Sequence, residues 1–259
     1  MHDFTGRTYM VVGGGSGMGE AAVRRLVSEG ARVAVVDRDL EAANQTIAQF
    51  GDSAIAIAAD ITSADEVDAA LAATVAWSGR LDGAVNTAGM GMGGSYRDQS
   101  LEQFKRVYEV NVFGMYNLIR AEAVYLADHD GGAIVNFAST NALQPAENIS
   151  AYASSKAAVD MMTKIAAMEF ARHGVRVLAL GPALTETPMV SKFLADQDVK
   201  KAFTDNILLG RPARPEEVAA VVSFMLSEDA SYLTGQTIYA DGGSLTMRYP
   251  TASERKLSK

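Results

Sequence analysis

The 259-residue chain contains no cysteine and only three histidines, and it carries 23 lysines and arginines against 31 acids. Without cysteine there is neither a disulfide framework nor a thiolate metal site. His2, His129 and His173 are scattered along the sequence, so no imidazole-rich metal site is expected either. The net charge of −8 leaves no basic face for nucleic acid or an anionic membrane surface. No apolar run reaches membrane-spanning length, and the start, Met1 to Gly6, holds an acid and no apolar core of signal-peptide size. The expectation is a soluble, cytoplasmic protein. No Pro/Ser-rich or charge-rich linker and no internal repeat divides the chain. With 48% hydrophobic residues it is long enough for one large α/β domain.

What is present is a regular alternation of β-prone and helical stretches. Thr8–Val12 reads as a strand that enters Gly13-Gly-Gly-Ser-Gly17-Met-Gly19, and a helix over 20–28 follows. Such a turn is either a tight structural bend or a cradle whose backbone N–H groups and helix N-terminus approach a pyrophosphate. The next strand, 32–36, ends in Asp37 followed by Arg38. That acid is either a surface carboxylate or the group that takes ribose hydroxyls about twenty residues past a phosphate turn. A helix over 40–50 and a strand over 54–59 lead to Asp60-Ile61, and Ser63-Ala-Asp-Glu66 reads as a capping box opening a helix to 77. A fourth strand, 81–86, runs into Asn86-Thr-Ala-Gly89, where small residues suit a plain turn or a close backbone approach to a ligand. Ser100 caps a helix over 101–128 that contains Asn111, an unfavourable helix residue that is either exposed or held by a specific hydrogen bond.

A fifth strand, 133–137, leads to Ser139, beyond a strand C-terminus where ligands of open parallel sheets bind. In the run 150–172, Tyr152 and Lys156 stand at i and i+4 and share a helix face. A tyrosine of pKa roughly 10 is a poor base near neutral pH, and a neighbouring ammonium lowers that value. On spacing alone the pair is equally a half-exposed tyrosine beside a solvated lysine. A sixth strand, 175–180, is followed by Gly181-Pro182 and an irregular segment to 209, too long for an ordinary connection and expected to cover a site. A helix over 215–226 and a strand over 236–240 close the alternation. The tail from Ser244, with Arg248, Arg255, Lys256 and Lys259, lacks an apolar period and is expected to be disordered or to lie on a neighbouring subunit.

Over residues 4–243 these stretches together resemble the short-chain dehydrogenase/reductase family. Gly13-x-x-x-Gly17-x-Gly19 is similar to its glycine motif and Asn86-Thr-Ala-Gly89 to its Asn-Asn-Ala-Gly motif. Asn111, Ser139, Tyr152 and Lys156 resemble its catalytic tetrad, and Pro182, Thr187 and Asp241-Gly-Gly243 match further family positions. Two departures stand out. Val12 occupies the place of a threonine whose hydroxyl ties the glycine turn to its neighbours, and Pro182-Ala183 replaces Pro-Gly beside the nicotinamide.

The resemblance implies an α/β fold, a single doubly wound Rossmann-type domain over 1–243 with a seven-stranded, mostly parallel sheet in the order 3-2-1-4-5-6-7, followed by a tail over 244–259. It implies general acid/base catalysis by Tyr152 and a substrate hydrogen bond from Ser139. It gives Lys156 two tasks, lowering the tyrosine pKa and holding the nicotinamide ribose, and has Asn111 hold a water that links Lys156 to solvent. The cofactor would lie on Gly13, Gly15, Ser16, Gly17 and Met18, on Asp37 and Arg38, on Asp60 and Ile61, and on Asn86, Ala88 and Gly89. Further contacts would come from Tyr152, Lys156, Pro182 and Thr187. Asp37 favours NAD over NADP, since a 2′-phosphate would face its carboxylate. The expected substrate is a small or medium, mostly apolar secondary alcohol or ketone, with Leu143, Met189 and Phe193 on segments that flank the site. Alternatives are a 3-oxoacyl-thioester reductase using NADPH, a non-catalytic nucleotide binder on the same fold, and a methyltransferase, the last disfavoured by Ser139, Tyr152 and Lys156. The resemblance also implies a homotetramer, since family members commonly pair the helices that correspond to 101–128 and 150–172, and Phe113, Met115, Met161, Met162 and Ile165 there can supply both a core face and part of a partner face.

Overall fold

Each of seven β-prone runs finds a parallel neighbour, which places their C-terminal ends along one edge of the sheet. They are β1 (Thr8–Val12), β2 (Arg32–Asp37), β3 (Ala54–Ala58), β4 (Gly83–Asn86), β5 (Gly132–Phe137), β6 (Val175–Pro182) and β7 (Thr237–Ala240). The computed structural model describes residues 2–256, apart from the side chains of Lys192 and Phe193, so Lys259 and the Phe193 side chain lie outside the described residues. The strand order is β3-β2-β1-β4-β5-β6-β7, and every pairing is parallel. Parallel neighbours need crossovers, and helices supply them on both faces.

The pleat sends alternate side chains to opposite faces. Met10, Val12, Ala34 and Val36 pack on one side with Met115 and Leu118. Val11, Val33 and Val35 pack on the other with Leu26, Val222 and Met225. The first face is covered by α3 (Ala64–Ser78), α5 (Met115–Ala127) and α6 (Ser150–Phe170), with α4 (Leu101–Tyr108) packed on α6. The second is covered by α1 (Gly17–Ser28), α2 (Leu40–Ile47) and α9 (Pro215–Leu226). Ser100 and Gln103 form a complete capping box at α4. At α3 only half of the expected box closes. Ser63 accepts the Glu66 N–H, but the Glu66 carboxylate accepts from the Asp60 N–H at 2.8 Å.

Three expectations change. The predicted helix over 101–128 is interrupted between α4 and α5 by a π-helical turn, Glu109–Gly114, that contains Asn111. The segment expected to be irregular up to 209 holds two short helices, α7 (Pro188–Leu194) and α8 (Gln197–Thr204). Asp196 caps α8 by accepting the N–H groups of Asp198 and Val199, and Val199 and Phe203 bury the same face one turn apart. The tail packs on its own chain instead of hanging free. Arg255 is only 3% exposed and donates to the carbonyls of Pro250 and Glu147. Lys256 pairs with Asp196 and Asp198 of the α8 region. Satisfied guanidinium and ammonium groups replace the missing apolar period as the anchor.

Phe113 is exposed on the π-helical turn and Met161 and Ile165 on α6, whereas Met115 is fully buried and Met162 packs against the core. Among the described residues no helix is long and apolar enough to cross a membrane.

Candidate active site

The glycine turn after β1 is packed so closely that side chains would not fit. A Cβ on Gly19 would lie 2.1 Å from the Gly13 carbonyl oxygen, and one on Gly13 would lie 2.7 Å from the Ala88 nitrogen. Gly13 and Gly17 also hold positive φ, which L side chains resist. The hydroxyl absent at Val12 is supplied from the facing loop. Thr87 Oγ1 donates toward the carbonyls of Val12 at 2.8 Å and Gly13 at 3.1 Å, in addition to the backbone bonds from Thr87 and Ala88. Ala183 shows no positive φ, so the second departure strains nothing.

At the tip of β2 the Asp37 carboxylate is aimed by two backbone donors, Gly15 N–H to Oδ2 and Asp39 N–H to Oδ1, each at 3.0 Å. This couples the acid to the glycine turn. The Asp60 carboxyl is held below its ordinary value, first by hydrogen bonds from Thr62 and then by the fields of Arg106 and Arg38. Gly13, Ser16, Gly17, Met18, Asp37, Arg38, Asp60, Ile61, Ala88 and Gly89 border one cleft of about 480 Å³, with Thr187 at its far end. Gly15 stands behind that wall, and Pro182 borders the neighbouring chamber instead. Asn86 does not reach the cleft with its side chain. It is fully buried, and its amide nitrogen donates to Glu122 Oε2 at 2.7 Å and Asn136 Oδ1 at 3.0 Å. A small polar residue in a strand-end motif reads as ligand-facing, but the pleat turns this one inward.

The four expected catalytic residues come together from three elements. Asn111 is fully buried. It accepts the Met90 N–H at 2.8 Å and donates to the Met90 carbonyl at 2.9 Å and Ser155 Oγ at 3.0 Å. The π-helical turn lets an amide leave the helix surface and brace the loop after β4. A Cβ on Gly89 would stand 3.3 Å from Asn111 Oδ1 and 3.4 Å from Lys156 Nζ, so glycine keeps that space open. Lys156 Nζ donates to the Phe137 carbonyl at 2.7 Å and lies 5.9 Å from the centre of the Tyr152 ring.

Ser139 stands beside the Tyr152 phenol and favours its ionised form, but burial outweighs it and pushes the tyrosine up. Burial also brings the Lys156 ammonium down to about 8. In the chain by itself, then, the ammonium does not lower the tyrosine as expected. Both groups sit in a dry site that penalises charge on each.

Beside Tyr152 and Ser139 opens a chamber of about 280 Å³, lined by Met92, Leu184, Met189 and Ile207, with Asn141 and Tyr249 among its polar members. Met18, Thr187 and Met189 border both cavities and form the partition between them. Met189 thus takes its expected place. Leu143 is 62% exposed and borders neither cavity. Sequence reasoning missed Thr87, Arg106, Asn141 and Tyr249. Thr87 was legible, since a hydroxyl one residue past Asn86 faces the gap left by Val12. The others carry no local signal.

The family model described as Enoyl-(Acyl carrier protein) reductase matches residues 12–244. A 2,5-dichloro-2,5-cyclohexadiene-1,4-diol dehydrogenase of Sphingobium indicum is 35% identical, over 94% of this chain and 98% of its own. A cyclohexanol dehydrogenase of Acinetobacter sp. is also 35% identical, over 92% and 95%. Among solved structures, a 3-ketoacyl-(acyl-carrier-protein) reductase from Brucella melitensis complexed with NADH superposes with a TM-score of 0.88 at 35% identity, covering 94% of this chain and all of its own. With this extent of similarity and this sheet order, the chain belongs to the short-chain dehydrogenase/reductase family and is an oxidoreductase.

Proposed function

We propose that the chain is an NAD-dependent dehydrogenase that interconverts a small or medium, mostly apolar secondary alcohol and its ketone. The observation that carries this reading is the meeting of a glycine-walled cleft and a largely apolar chamber at a partition beside Tyr152 and Ser139. The close-packed glycines and the carboxylate aimed from Asp37 fit a dinucleotide, and the NADH held by the Brucella melitensis neighbour supports the same choice. The names of the two dehydrogenase relatives support an alcohol as substrate.

A nicotinamide dinucleotide in the cleft supplies the hydride acceptor for oxidation and the donor for reduction. The remaining acts belong to the chain. Tyr152 Oη takes the hydroxyl proton in oxidation and returns it in reduction. Ser139 Oγ hydrogen-bonds the substrate oxygen and holds it against the phenol. Lys156 bonds the ribose next to the nicotinamide and, as a cation beside the phenol, favours proton removal once its partners are in place. Asn111 keeps the loop at Met90 open beside Lys156 and binds the water through which the proton leaves. Thr187, on the partition, binds the carboxamide. Gly15 and Asn86 serve by shaping the cleft wall, the first by aiming Asp37.

Asp37 selects NAD by accepting hydrogen bonds from the adenosine ribose. Arg38 and Arg106 border the same cleft and favour the second reading, an NADPH-dependent 3-oxoacyl-thioester reductase. Two arginines near a 2′-phosphate would have to overcome the carboxylate that the glycine turn aims at the same place. The protein further acts as a cytoplasmic homotetramer, with 1–243 as the catalytic domain and 244–259 as an appended segment. A panel of secondary alcohols and ketones, offered with NAD(H) and NADP(H) and followed at the nicotinamide absorbance, tests the proposal. Turnover with NAD of apolar secondary alcohols is expected, and no turnover with any compound refutes it.

A further inference from the structure

Several polar residues line the substrate chamber, Gln144, Thr185, Asn206 and Arg248 included, and two of its polar points are each built by a pair of side chains, of which the chemistry above uses one. Ser139 and Tyr152 form the first. The second is built by Asn141, two residues past Ser139, and by Tyr249 from the tail. Hydrocarbon also lines the chamber, from Met92, Leu184, Met189 and Ile207.

The Tyr249 ring is held from two sides. It meets Phe203 of α8 edge-on at 5.5 Å, and the Arg255 guanidinium lies over it at 5.3 Å. Arg255 is itself tied to the carbonyls of Pro250 at 3.0 Å and Glu147 at 2.7 Å. Gln144 joins the loop after β5 to the tail by donating to the Met247 carbonyl at 2.8 Å. The phenol is therefore pre-positioned, and little freedom is lost when a ligand meets it.

Its surroundings show which way its hydroxyl is available. Tyr152 and Tyr249 line the same chamber, and burial raises the Tyr249 pKa. Asn141 lines the chamber with Tyr249, and its amide nitrogen donates to the Gln144 carbonyl at 3.1 Å. As Tyr249 lines the chamber, its O–H can donate into it. A substrate with a single oxygen satisfies Ser139 and Tyr152 but sets hydrocarbon against this second donor, which a buried polar group resists.

We propose that Tyr249 and Asn141 form a second oxygen-binding point and that the substrate is an alcohol bearing another hydroxyl or carbonyl group, a diol or hydroxyketone. This rests on the dehydrogenase reading and narrows it. In this arrangement Tyr249 is a specificity-determining residue that touches the substrate at the end remote from the reacting carbon.

The test compares kcat/KM with NAD for cyclohexanol and for the cis and trans isomers of 1,2-, 1,3- and 1,4-cyclohexanediol, in the unmodified protein and in Tyr249→Phe. The phenylalanine retains the ring contacts to Phe203 and Arg255, and equal melting temperatures confirm that the tail still docks. The unmodified protein is expected to prefer at least one diol over cyclohexanol by about tenfold, and Tyr249→Phe to lower that preference by about the same factor, the worth of one hydrogen bond. Preference for cyclohexanol over every diol in the unmodified protein overturns the inference whether or not the variant folds, as does a diol preference that the variant retains within about threefold. Either result leaves the dehydrogenase reading intact. Absence of turnover with all seven compounds overturns the inference and leaves the dehydrogenase reading to the wider panel of secondary alcohols and ketones.

Discussion

Glu122 is fully buried under the sheet, with one oxygen accepting from Asn86 and the other, Oε1, without a partner among the described residues. Burial pushes its carboxyl up from 4.5 to about 8, and the Asn86 hydrogen bond offsets only part of this. The unfolded chain releases the proton near 4.5 and the folded chain near 8, so across that window the folded state binds more protons. Stability from this residue is therefore complete below about pH 4.5 and is lost as pH rises through about 8. At about 1.4 kcal/mol for each tenfold difference in acidity, the whole effect is on the order of 5 kcal/mol. About 3 kcal/mol of it falls between about pH 5.5 and about pH 8.5. Glu122→Gln keeps the volume and the acceptor for Asn86 but cannot ionise. Melting temperatures of both proteins at the two pH values give a double difference in which all shared titrations cancel. The variant is expected to lose less on going to high pH, by about 6–12 °C for a chain of this size. Parallel profiles, agreeing within about 2 °C, would mean that the carboxyl is not held neutral and would refute the argument.

Tyr152→Phe should lower turnover by about a hundredfold or more while cofactor affinity, read by fluorescence titration, stays nearly unchanged. Near-normal turnover removes Tyr152 from the chemistry. Lys156→Ala should lose turnover and also weaken cofactor binding, and unchanged affinity denies it the ribose contact. In the unmodified protein NAD should exceed NADP by about a hundredfold in kcat/KM, given roughly 1.5–3 kcal/mol for a hydrogen bond to a charged group. Asp37→Ala should narrow that gap mainly by weakening NAD, and parity before mutation assigns control of the pocket to Arg38. Sedimentation should give a tetramer, with the exposed side chains of Phe113, Met161, Ile165 and Met168 at an interface. A monomer at micromolar concentration refutes this.

The strands were legible because the central ones are buried on both faces and so read as nearly unbroken apolar runs between polar turns, whereas β3 and β7 at the edges are only partly buried. Their order was not visible in periodicity. It came from the resemblance, since nothing in β3 alone says that it pairs with β2 at an edge. Asp37 and Ser139 could be placed because strand ends are marked by the switch from apolar to polar residues. α8 went unseen although Asp196 is a good N-cap, because two buried residues, Val199 and Phe203, are too few to establish a period. The docking of the tail rests on Arg255 and Lys256, and charged residues in sequence usually signal solvent. Tyr249 owes its place to that docking. The rise of the Tyr152 pKa in the chain by itself was hidden for a related reason: spacing locates the ammonium, whereas the dryness that opposes both charges is a property of the assembled site.

The π-helical turn at Glu109–Gly114 has a consequence for how this chain tolerates change. Val107 and Met115, both fully buried, are eight residues apart, which in a regular helix puts them roughly 80° out of phase. The wide turn absorbs one residue, so they behave as if seven apart and fall within roughly 20° of one another, and Ile119 follows on the same side. Deleting one residue from the turn would let a straighter, more regular helix form. The cost would fall on Asn111, whose amide would swing off the loop it braces, or on every buried side chain downstream, which would rotate by about 100° out of the core. Local regularity and global fit are opposed here, so the stretch should accept substitutions more readily than any change in length.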